Sequence, residues 1–338
     1  MNTATQNAFQ KRPKLLLFIG YGLATICLVW VLHDFHIVGE LHNLANVSWQ
    51  WVLLGMGCDV LSYGIQALRW KFLLTPFGKV RLRRSIRAVF AGLFANLVFP
   101  LRPGEVLRSY LLANSEEISI GRVLGAVGVE RFVDLVIATA ALAMVSLYIN
   151  LPRPDQRVAD LLAYATLFLL FLVGLLILYV EVKLSKNPPV NGKKTHLPGK
   201  FMAVLTDLHA IGTSPSFYAA VMTSLLIPFC QVVGLWAVMH AYGLTLSLLS
   251  AAVVLLIINL GVSLPNAPAN VGSYQFFCVL GLTIFDVEKT RATGFSIFAF
   301  LALTIPLAFL GFAALLRSGM SFHTMREKVK GLPSRPRA

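Results

Sequence analysis

Acidic residues are scarce in this chain, with 15 Asp and Glu against 29 Lys and Arg among 338 residues, and charged residues of both signs make up only 13% of the sequence. Cysteine is scarcer still. Cys27, Cys58, Cys230 and Cys278 lie far apart inside apolar runs, with no C-x-x-C pair. This signals neither a zinc site nor a disulfide framework and leaves packing as their expected role. The histidines, mostly His33, His36 and His42, show no H-E-x-x-H or paired ligand spacing, so no metal is implied. No G-x-S-x-G, Walker or paired-carboxylate signature falls on a polar loop, so neither an enzyme nor a cofactor is expected. The longest polar stretch, about Glu181 to Ser216, is too short for a soluble catalytic domain.

What the chain has in abundance is apolar sequence, 57% of it, in runs such as "LLAYATLFLLFLVGLLILYV" that can cross about 30 Å of hydrocarbon. An all-α polytopic membrane protein is therefore expected, because lipid offers no partner for unpaired backbone groups. Candidate full spans are Leu15–Leu32, Trp51–Leu74, Val123–Ile149, Leu161–Val180, Phe217–Met239 and Ala292–Leu316. The first follows a basic flank but has 18 residues and no small-residue cleavage site, which reads as an uncleaved span rather than a signal peptide. One transmembrane domain is expected over residues 15–316, with a tail at 1–14, a cytoplasmic loop at 181–216 and a basic tail at 317–338.

The net charge of +14 would suggest nucleic acid in a soluble chain. Here the basic residues sit in short segments between apolar runs, so no nucleic-acid partner is expected. Lys11, Arg12 and Lys14, the group Lys79 to Arg87, the loop Lys183 to Lys200 and the tail from Arg317 all fall on the side of the N-terminus. The opposite side holds only Arg153, Arg157, Lys289 and Arg291. The positive-inside rule then puts both termini in the cytoplasm of a bacterial inner membrane. The stretch "GKVRLRRSIRA" reads as an interfacial amphipathic helix, and plain positive-inside anchoring explains it equally well.

Two segments resist the simple scheme. "AVFAGLFANLVFPLRPGEVLRSYLL" and "LPNAPANVGSYQFF" each read as helix, break, helix, entered from opposite sides. The unit of span, broken pair and span then occurs twice, at about residues 51–149 and 217–316 with a linking span at 161–180, as in inverted-topology repeats. Irregular backbone at membrane depth must be buried in protein or line a wet cavity. At the second break Asn266, Asn270, Ser273 and Gln275 supply donors and acceptors, Gly272 permits a tight approach, and Tyr274 joins them as a candidate substrate-binding residue. A proline kink with self-satisfied backbone is the plainer alternative.

At the first break Arg102 and Arg108 offer planar donor forks suited to phosphate, and Glu105 begins a helix that favours an acid there. Alternatively Glu105 pairs with Arg108 while the arginines snorkel. Glu130, Arg131 and Asp134 open the third span, where charge must face protein or water, or else anchor at headgroup level. Asp59 is the deepest acid by sequence count and, with Asp134, a candidate proton-sensitive site; a hydrogen-bonded structural acid is the alternative.

Four segments, "QALRWKFLL", "RPGEVLRSYLL", "VERFVDL" and "LPNAPANVGSYQFF", resemble in order and spacing the membrane part of lysylphosphatidylglycerol synthases, among the flippase-like membrane proteins. The resemblance covers roughly residues 10 to 320 and implies a lipid-translocating module, with the aminoacyl-transfer half expected to be absent. It also widens the substrate range to hopanoid and polyprenyl-linked lipids. This chain departs from the family pattern at Ala269, where a glycine is usual, and at Gln275, where a glutamate is usual, which puts a proton- or cation-dependent role there in doubt.

The expected function is movement of a lipid, with Arg102, Arg108 and Arg131 attracting a phosphate-bearing headgroup and Glu105, Glu130 and Asp134 holding those arginines. The alternative is an accessory subunit that binds a lipid-synthesising enzyme without transporting. The oligomeric state is left open.

Overall fold

The computed structural model describes residues 18, 20–33, 35, 46–100, 102–148, 164, 168, 210–263 and 267–318. The expected linking span at 161–180, most of the loop at 181–216, both tails and Asn266 lie outside the described residues, apart from single positions. Among the described residues the secondary structure is helical and no strand occurs. The helices are α1 (Gly20–Leu32), α2 (Trp49–Leu74), α3 (Leu82–Val98), α4 (Gly104–Glu116), α5 (Ile120–Tyr148), α6 (Pro215–Ala241), α7 (Leu248–Val262), α8 (Ser273–Thr283) and α9 (Lys289–Arg317). Short 3₁₀ turns occupy Thr75–Phe77 and Pro268–Asn270.

Three of these segments are long and apolar enough to cross a membrane, over Trp49–Phe77, Pro215–Ala241 and Lys289–Arg317. They coincide with three of the expected spans, and α5 covers a fourth. The protein is an all-α, multi-pass membrane protein. The halves of the two interrupted segments are shorter. At a rise of about 1.5 Å per residue, α3, α4, α7 and α8 extend roughly 16 to 26 Å, so none alone reaches the ~30 Å of a hydrocarbon core.

The described chain forms two compact units. The first comprises residues 1–67, 82–112 and 226–338; the second comprises residues 68–81 and 113–225. Small residues let the backbones of the first unit approach closely. A Cβ on Gly55 would lie 2.8 Å from the Gly234 carbonyl oxygen, which fixes the crossing of α2 and α6. A Cβ on Gly311 would lie 2.8 Å from the Phe90 carbonyl oxygen and equally close to Phe94, so α9 seats directly on α3. The Phe277 ring fills the space beside Gly261, locking α8 to α7. Around these contacts Val238, Met239, Val254, Val279 and Phe295 form a buried core. In the second unit Trp70, Leu73, Leu74 and Val123 are buried.

Candidate functional site

Polar chemistry inside the first unit gathers where the two breaks meet. Helix α3 ends at Val98 and α4 begins at Gly104, with Arg102 between them in the left-handed region at φ 51°. The Asn96 side chain closes this gap, its Oδ1 accepting from the Gly104 N–H at 2.7 Å. That bond satisfies one of the donors a helix N-terminus leaves open. At the second break Ala269, Asn270 and Gly272 take φ of 56°, 59° and 86°. Gln275 Oε1 accepts from the Gly272 N–H at 2.7 Å and caps α8. In both breaks an amide side chain supplies the cap.

Arg102 ties the two breaks together, donating from Nη2 at 3.0 Å and from Nε at 3.3 Å to Asn270 Oδ1. The Tyr63 hydroxyl lies within electrostatic reach of both the Asp59 carboxylate and the Arg102 guanidinium. Tyr274 is within reach of Asp59 and Tyr63. Tyr274 Oη is buried and makes no hydrogen bond with a described residue. Its ring packs against Phe300 at 5.4 Å.

The second unit holds a different arrangement. Arg69, only 2% exposed near the end of α2, pairs with Glu130 and with Asp134 on α5, the latter at 2.5 Å. Its Nη1 also reaches Ser224 Oγ on α6 at 3.2 Å, and Trp70 Nε1 donates to Glu130 Oε2 at 2.9 Å. Glu130 is 1% exposed, whereas the Asp134 side chain keeps 35% of its surface open. One cation thus sits between two carboxylates, and a charged group buried this way persists only when paired.

Several expectations change here. Glu130 and Asp134 were assigned to hold Arg102, Arg108 and Arg131. A cation paired with both acids is Arg69, not among the expected site residues because a basic residue near a span end looks like an ordinary anchor. Its signal lay in "QALRWKFLL", where arginine precedes a tryptophan inside a helix that continues to Leu74. Glu130 faces protein, as one of the two expectations for it required, being 1% exposed. Arg131 is exposed on α5. Arg108 is 6% exposed rather than snorkelling to solvent, and Glu105 occupies the first turn of α4. Asn266 lies outside the described residues. Among the described residues no group of three or more His, Cys, Asp or Glu could hold a metal ion.

Residues 17–311 match the sequence model of a family described as the lysylphosphatidylglycerol synthase TM region. No curated protein and no solved structure matches significantly.

Proposed function

Because the chain belongs to the family of the lysylphosphatidylglycerol synthase transmembrane region, we propose that it is a flippase-type transporter moving a phosphate-bearing lipid between leaflets, not an enzyme. The observation that carries this reading is the bond from Arg102 to Asn270, which joins the two breaks through one neutral oxygen. A phosphate oxygen is a charged acceptor, and a guanidinium binds charged acceptors roughly twice as strongly as neutral ones. A headgroup arriving at Arg102 therefore displaces Asn270 and separates the breaks, which couples binding to movement. Tyr63, Tyr274 and Asp59 offer further polar groups beside the path. The inverted repeat, re-entrant half-helices and cytoplasmic termini belong to this same reading, as does an inner-membrane location.

The test is reconstitution of purified protein into vesicles containing leaflet-reporting fluorescent phosphatidylglycerol. Arg102→Gln is expected to abolish protein-dependent movement while the variant folds and inserts normally. Unchanged movement at equal protein density would sink the proposal. A second reading, an accessory subunit for a lipid-synthesising enzyme, is favoured by the closed ion cluster around Arg69, since a scaffold needs its charges mutually satisfied. It expects no movement from the wild type and co-purification with a synthetic enzyme.

A further inference from the structure

Away from the breaks, α3 and α9 enclose a groove of about 350 Å³ in the first unit. Its walls are apolar, including Ile86, Phe90, Leu310 and Ala313, and its rim carries Arg83, Arg87 and Arg317. Phe90 and Ala314 belong to a small buried cluster with Leu307, so the floor is packed core rather than a loose seam. All three arginines are exposed, and none has a hydrogen bond or an ion pair with a described residue. Arg83 and Arg87 are four residues apart and share a face of α3, while Arg317 ends α9. Among the described residues no acid lines the groove.

Three guanidinium groups with no acidic partner among the described residues, set around an apolar slot, fit a molecule with an anionic head and a hydrocarbon tail. We propose that this groove binds one anionic phospholipid of the surrounding leaflet, with its phosphate on Arg83, Arg87 and Arg317 and an acyl chain against Phe90 and Leu310. Charge complementarity selects this occupant. The chain that follows Ser318 runs "GMSFHTMREKVKGLPSRPRA", with five Lys and Arg against one Glu, and is repelled by the same rim. A zwitterionic lipid fills the slot equally well but brings its own cation to the rim. The site is independent of transport, because Arg102 and Asn270 take no part in it.

The experiment is native mass spectrometry of the full chain extracted from nanodiscs of phosphatidylcholine with phosphatidylglycerol, counting lipid retained per protein. Wild type should retain one phosphatidylglycerol in preference to phosphatidylcholine. Retention should fall as salt is raised to about 0.5 M, since exposed charges are screened within a few Å there. The triple variant Arg83→Gln, Arg87→Gln, Arg317→Gln should bind at least about tenfold more weakly. Ala313→Trp, which fills the slot and leaves the rim charged, should lose the lipid too. Equal retention of phosphatidylcholine by wild type overturns the proposal without any variant being needed. So does displacement by millimolar inorganic phosphate alone, which would make the rim a free-anion site. Retention that appears only after removal of residues 319–338 would also overturn it, since the tail would then be the occupant.

Discussion

The ion cluster around Arg69 and the joint between the two breaks are both polar assemblies in a chain that is mostly apolar, yet they are built on opposite principles. The cluster stands on continuous helices, and its charges satisfy one another at short range, backed by Ser224 and Trp70. The joint stands on residues with left-handed backbone and is bridged by the Arg102 guanidinium donating to the neutral Asn270 amide oxygen. Opening the first means separating buried charges, which costs several kcal/mol per group. Opening the second exchanges the hydrogen bonds to Asn270, of about 1 kcal/mol each, for others. The first is a fixture and the second a latch, and the proposed movement of a headgroup would use both.

The contrast is broken most severely at the fixture. Arg69→Leu leaves Glu130 buried and Asp134 half-open without their cation, a loss of about 3–5 kcal/mol. That corresponds to a fall in Tm on the order of 10 °C in detergent thermal-shift assays. Adding Glu130→Leu and Asp134→Asn should restore much of it, because the uncompensated charges leave with their partner. If Arg69→Leu is as stable as wild type while the triple variant is not, the cluster is not held by its charges.

Next comes Gly272→Ala. Its φ of 86° is one an L-residue adopts at a cost of about 1–2 kcal/mol. The new Cβ would also run into the backbone carbonyl of Ala24, which cannot swing aside like a side-chain tip. A combined loss of about 2–4 kcal/mol is expected, with lipid movement falling as well. Arg102→Gln sharpens the comparison from the other side, since its stability loss should stay near 1 kcal/mol while movement is abolished. Equal Tm losses for Arg69→Leu and Arg102→Gln would erase the distinction between fixture and latch.

Much of this was legible in the residues. Apolar run length located spans at Trp51–Leu74, Phe217–Met239 and Ala292–Leu316, inside the helical segments Trp49–Phe77, Pro215–Ala241 and Lys289–Arg317, and proline with glycine marked both interruptions. Glu130 and Asp134 stood out because acids inside a long apolar helix need a reason. What could not be read was which cation they meet, since Arg69 lies 61 and 65 residues away and only packing brings it there. The bond between Arg102 and Asn270 spans 168 residues and was hidden for the same cause. Sequence periodicity speaks to neighbours on one element, and both polar assemblies are made across elements.

The smallest effects come from Ala269 and Gln275, both at the second break. Ala269 sits at φ 56°, a left-handed conformation that glycine adopts without strain and alanine does not. Ala269→Gly should therefore raise stability by about 1 kcal/mol, net of the extra freedom glycine gives the unfolded chain. Gln275 is explained by its cap on Gly272, which needs an acceptor oxygen and not a charge. Gln275→Ala should cost about 1 kcal/mol by leaving the N–H open, whereas Gln275→Glu keeps an oxygen in place near the positive end of α8 and should stay within about 0.5 kcal/mol of wild type. Thermal-shift curves for the three variants decide between a capping role and a charge-sensitive one. If Gln275→Glu destabilised as much as Gln275→Ala, the site would reject a carboxylate, and the neutral amide would matter for a reason beyond the cap.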